Sequence, residues 1–145
     1  MKINTVIALL GLTWIGSSQA GQYAVGSFAE IRCNQNGAVY RREVTAIDSS
    51  TGEATATNTT PEGVMVVKVQ KSEFDNYNAY AANLSTNCPQ TGGFLDVVTV
   101  PAGTFTSCNT RPDNDELVMS LADVPFLLVK VEASGVKCEL NSYKW

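Results

Sequence analysis

Apolar and polar positions alternate along much of the chain from residue 27 onward, the two-residue period of strands with one buried face. In SFAEIRC (27–33), Ala29, Ile31 and Cys33 fall on one side and Glu30 and Arg32 on the other, with Phe28 on the polar side. Asn34, Gln35, Asn36 and Gly37 then form a turn of residues that tolerate positive φ. VYRREVTAI (39–47) is a strand and DSSTG (48–52) a second turn. EATATNTT (53–60) has only Ala and Thr to bury, which predicts an edge or solvated strand. Pro61, Glu62 and Gly63 break the chain, and VMVVKVQ (64–70) resumes as a strand.

One segment has the helical period instead. Phe74, Tyr77, Ala81 and Leu84 recur at helical spacing, and Ser72 with Asp75 suits a helix start, predicting a short helix over 73–83 whose aromatic stripe packs on the sheet. Thr91, Gly92 and Gly93 read as a flexible entry to the next strand. FLDVVTV (94–100) and TFTSC (104–108) flank Pro101-Ala102-Gly103, a three-residue hairpin loop with the proline at its first corner and the glycine left-handed. Beyond a polar loop at 111–116 come LVMSL (117–121), LLVKVEA (127–133) and VKCELNSY (136–143), the last two joined by Ser134-Gly135.

The first twenty residues stand apart. Lys2, the apolar run 6–15 and the small residues of Ser18-Gln19-Ala20 predict a cleaved signal peptide over 1–20, and the run is too short to span a bilayer. No cysteine occurs before Cys33 to carry a lipid anchor. Residues 21–145 then form a single β-rich domain, with no transmembrane segment expected in the exported chain. Without Lys2 it carries nine Lys and Arg against fourteen Asp and Glu, a net charge of −5. Its basic residues are scattered except for Arg41-Arg42, which argues against a nucleic-acid partner.

Four cysteines, an even number, all lie in this part, as expected of two disulfides in a periplasmic or secreted protein. Three pairings are open. The favoured one joins Cys88 to Cys108 around a short loop and Cys33 to Cys138, first long strand to last. The chain has no histidine and no closely spaced cysteine pair, which disfavours a zinc site.

The same absence of histidine removes the usual hydrolase triad, and Gly-x-Ser-x-Gly does not occur. Fourteen acidic residues offer no reason to select a glycosidase pair. Asp113, Asp115 and Glu116 lack the spacing of a calcium loop and read as a solvated turn. No phosphate-binding glycine pattern is present. The expectation is a non-enzymatic protein without cofactor or metal.

Three segments carry a resemblance: YAVGSFAEI (23–31), VTVPAGTFTSC (98–108) and VPFLLVKVEASGVKCELNSY (124–143). In order and spacing they resemble a broad group of uncharacterised bacterial exported proteins that share a Val-Pro-Ala-Gly-Thr-Phe hairpin, a Val-Pro-Pro-Phe-Gly-Leu-Val-Lys segment and a final strand. The resemblance implies a mainly β fold, an antiparallel curved sheet or incompletely closed β-barrel similar to that of periplasmic lipoprotein carriers, with a helix against its concave side. Leu127 replaces the glycine of that pattern, one proline is missing, and the four cysteines look like an addition.

Two functional expectations follow. In the first, the half-barrel binds a lipid or other apolar small molecule against Val64, Val66, Leu95, Val97, Leu117, Val129 and Val131. In the second, the interior is filled and exposed strands or loops meet another protein of the cell envelope.

Overall fold

The computed structural model describes residues 22–111 and 116–145. The expected signal peptide and cleavage site, and Asp113 and Asp115 of the acidic turn, lie outside the described residues. Nine antiparallel strands form one open sheet: β1 Phe28–Cys33, β2 Val39–Ile47, β3 Ala54–Thr60, β4 Gly63–Val69, β5 Phe94–Val100, β6 Gly103–Thr110, β7 Leu117–Leu121, β8 Leu128–Ala133 and β9 Val136–Lys144. Their spatial order is β4-β3-β2-β1-β9-β8-β7-β6-β5, so β4 and β5 are the edges. Two helices, α1 Lys71–Ala82 and α2 Leu84–Gln90, connect one edge to the other. The chain thus runs outward to one edge, crosses by way of the helices, and returns from the opposite edge until β9 pairs with β1.

The edge hairpins share one corner chemistry. Thr60 pairs with Gly63 and Val100 with Gly103, leaving Pro61-Glu62 and Pro101-Ala102 as two-residue loops. Gly63 at φ 146° and Gly103 at φ 141° occupy backbone that only glycine enters readily. The loop at Pro101 is therefore one residue shorter than its spacing predicts, because the glycine already pairs in the ladder. Register shifts at Glu30/Ile31, Val44/Ala46 and Ser120/Leu121 mark bulges, which bend strands and increase twist.

β3 is not the edge or solvated strand that its composition predicts. It lies between β2 and β4, with Ala54 and Ala56 fully buried beside Tyr23, Val44, Val69 and Phe74. The rings of Tyr23 and Phe74 belong to the cluster that buries these small side chains, so poverty in bulk reflects large neighbours and not solvent. The helix begins two residues early, with the Gln70 backbone N–H donating to the Glu73 carboxylate at 3.0 Å in place of a Ser72–Asp75 start.

A second helix, α2, was not evident in the pattern. Its seven residues bury only Cys88, which is bonded to Cys108 of β6. The other bridge joins Cys33 of β1 to its ladder partner Cys138 of β9, so both expected pairings are present. Gly93 is a point of close packing and not a flexible entry: a Cβ there would lie 2.6 Å from Cys108 Sγ. No helix of the described residues is long and apolar enough to cross a membrane.

The core has two parts. Ala29, Val98, Val100, Ala122, Val124, Val129 and Leu140 form one cluster. Tyr23 and Phe74, with the β2–β4 residues beneath them, form the other. Phe126 packs against both.

Candidate functional site

Phe126 belongs to the connection between β7 and β8, which turns back into the molecule. Ala122 N–H donates to Leu127 O at 2.8 Å and Leu127 N–H to Val124 O at 2.9 Å, closing a tight turn. Phe126 at φ 62° and Leu127 at φ 66° both adopt the left-handed backbone. A tight turn is therefore present with Leu127 at this position. Its cost, about 1 to 3 kcal/mol per strained residue, is offset by burial of Val124, Pro125 and Leu127 and by a fixed hydrogen bond. That bond runs from Phe126 N–H to the Tyr23 hydroxyl oxygen at 2.6 Å.

Tyr23 is the hub of an aromatic cluster. Its ring stacks on Phe74 at 4.2 Å between centroids and meets Phe126 and Trp145 at 5.3 Å each. Burial pushes its hydroxyl well above the usual phenol range, while the amide of Phe126 pulls in the opposite direction. The hydroxyl stays protonated and serves to anchor the turn.

Between this turn and strands β1–β3 lies an open concavity of about 350 Å³. Ile31, Tyr40, Phe126 and Leu128 give it mostly apolar walls, and Arg41, Arg42, Asn58, Thr59 and Thr60 are the polar residues that also line it. Register explains their meeting: Arg42 pairs directly with Ala29 of β1 and Asn58 of β3, and direct cross-strand partners share a face. Arg42 Nε donates to Asn58 Oδ1 at 2.7 Å, and the guanidinium carbon lies 5.3 Å from the centre of the Phe126 ring.

Arg41, one residue earlier, faces the other way. Its guanidinium sits 3.6 Å above the Phe28 ring and pairs with Glu43 at 2.9 Å and Glu30 at 3.7 Å. Phe28, Glu30 and Glu43 therefore neutralise and cover Arg41, although it too is among the residues lining the concavity, and none of the described residues lining it is a carboxylate.

The seven aliphatic residues expected to line a ligand do not come together here. Val64 and Val66 are 67% and 65% exposed on edge strand β4. Leu95 and Val97 are 42% and 65% exposed on the opposite edge, β5. Leu117 and Val131 are half-buried on β7 and β8, and Val129 is fully buried in the core. Aliphatic content alone does not report which strand ends up between two others, whereas the Arg-Arg pair in a strand of alternating pattern carried a usable signal: adjacent strand residues point to opposite faces.

A second concavity, of about 340 Å³, is polar, with Asp96, Asn109, Ser120, Lys130 and Glu132 around it. Ser120 Oγ donates to Asn109 Oδ1 at 2.7 Å, and Lys130 pairs with Glu132 at 2.7 Å, so its polar groups satisfy one another. The spacing Ser-x-x-Lys occurs at Ser134–Lys137, but there it spans the turn between β8 and β9, and Lys137 pairs with Glu139 at 3.0 Å. Among the described residues no group of three or more acidic or cysteine side chains is placed to hold a metal. No family model matches the chain, and no curated protein or solved structure matches it.

Proposed function

We propose that the chain is a non-enzymatic binding module, exported to the periplasm or secreted, that holds a lipid or other small apolar molecule in the concavity between β1–β3 and the Phe126 turn. The observation that carries this reading is the concavity itself: about 350 Å³ of apolar-walled space, at the small end of ligand pockets, beside a turn held in strained backbone. The two disulfides support an oxidising compartment.

Native mass spectrometry of the protein, purified gently from its own exported fraction and compared before and after organic extraction, tests the reading. A discrete added mass that extraction removes is the expected result. A bare chain carrying only its two bridges would contradict it.

One observation favours a second reading, an interaction module of the envelope. Val64, Met65 and Val66 on β4 and Phe94, Leu95 and Val97 on β5 leave both sheet edges apolar and exposed, and an unpaired edge is a template for a further strand. Co-purification of one stoichiometric protein partner, lost when charges are placed on these edges, would favour it.

A further inference from the structure

The apolar concavity contains a cation, Arg42, that has no ion-pair partner among the described residues. Arg42 spends one of its five N–H donors on Asn58 Oδ1, and its guanidinium carbon lies 5.3 Å from the centre of the Phe126 ring. None of the ion pairs among the described residues involves it. Elsewhere the fold handles the same side chain differently, since Arg41 is satisfied by two carboxylates. A half-buried guanidinium among Ile31, Phe126 and Leu128 is costly unless it has an anionic partner. In a chain of net charge −4, acidic residues are plentiful, yet none of the described ones lines this space.

Resting on the binding-module reading, we propose that the ligand is an amphipathic anion: a small apolar carboxylic acid whose carboxylate meets the terminal guanidinium nitrogens of Arg42 and whose hydrocarbon lies against Ile31, Phe126 and Leu128. Planar guanidinium and carboxylate groups match in a two-point hydrogen-bonded geometry. Asn58 is a positioning residue, fixing the guanidinium through Nε and leaving the terminal nitrogens for the ligand. The volume sets the size, because about 350 Å³ holds roughly a dozen water-sized groups and therefore an acid of about a dozen non-hydrogen atoms. This open concavity could hold only part of a two-chain phospholipid.

Calorimetric titration of the disulfide-bonded protein with decanoate, decanol and decyltrimethylammonium tests both the class and the site. Decanoate is expected to bind at least tenfold more tightly than decanol, with decyltrimethylammonium weakest. Arg42→Gln should weaken decanoate at least tenfold, and Asn58→Ala severalfold, since the guanidinium is then free to reorient. Without any substitution, the Arg42 Nε–Hε nuclear magnetic resonance should shift with decanoate and not with decanol. Equal affinity for decanoate and decanol, with that resonance unmoved, would overturn the anionic class and leave an apolar binder. Binding of none of the three probes would overturn the class and the binding-module reading together.

Discussion

Two neighbouring arginines show how much one position along a strand decides. Arg41 and Arg42 are identical in composition and differ only in face, and the ladder turns one toward Glu30 and Glu43 and the other toward Ala29 and Asn58. Tyr23 illustrates the complementary case, in which the hydroxyl matters apart from the ring. Replacing it as Tyr23→Phe keeps the stack on Phe74 and removes the acceptor for Phe126 N–H. An amide left without its partner in a half-buried turn costs about 1 to 3 kcal/mol, so the urea midpoint should fall accordingly, and the Phe126 amide should exchange with solvent faster than its neighbours. Gly93→Ala is expected to destabilise by roughly 1 to 3 kcal/mol through overpacking, because the new Cβ would meet Cys108 Sγ at 2.6 Å and Asn109 O at 2.8 Å. Thermal unfolding of the variant checks this, and an unchanged midpoint would mean that β6 yields freely at that point.

The elements that were legible in the sequence are those whose order is local. Alternating strands β1 and β2, the β-branched run of β4, and the Pro-x-Gly corners each follow from backbone preferences of a few residues. The misread elements depend on distant neighbours. β3 was obscured because alanines suit both a solvated strand and one covered by large distant side chains, and only the positions of Tyr23 and Phe74 distinguish them. α2 was obscured because its seven residues, LSTNCPQ, have no apolar face and are held by a bridge to β6. The two bridges close loops of unequal length, Cys33–Cys138 with a sequence separation of 105 and Cys88–Cys108 with a separation of 20. Loop entropy alone assigns them about 4.7 and 3 kcal/mol. Paired replacement by alanine should therefore lower stability more for Cys33 and Cys138 in equilibrium unfolding. Loss of the Cys88–Cys108 bridge should instead be the change that speeds amide exchange in α2.

At the scale of the whole molecule, a mainly β fold was legible in the alternating pattern, but the location of the concavity was not. Strand order places β1, which is early in the chain, beside β9, which is last, and brings the β7–β8 turn over β1–β3. Residues about a hundred positions apart, such as Ile31 and Phe126, thus line one concavity. The candidate site depends on that closure, while Val64, Val66, Leu95 and Val97 end on the two free edges. Val66→Lys and Val97→Lys should change stability by no more than about 0.5 kcal/mol, as exposed substitutions usually do. Their affinity for decanoate should equal that of the unaltered protein, and a large loss would place the ligand on an edge. The most direct measurement of the central claim is a crystal structure of the protein purified from its exported fraction without extraction. The account predicts continuous density of an elongated molecule between Phe126 and Ile31, with its polar end at Arg42. A concavity closed by the protein's own side chains, with Arg42 turned out to solvent, would contradict it.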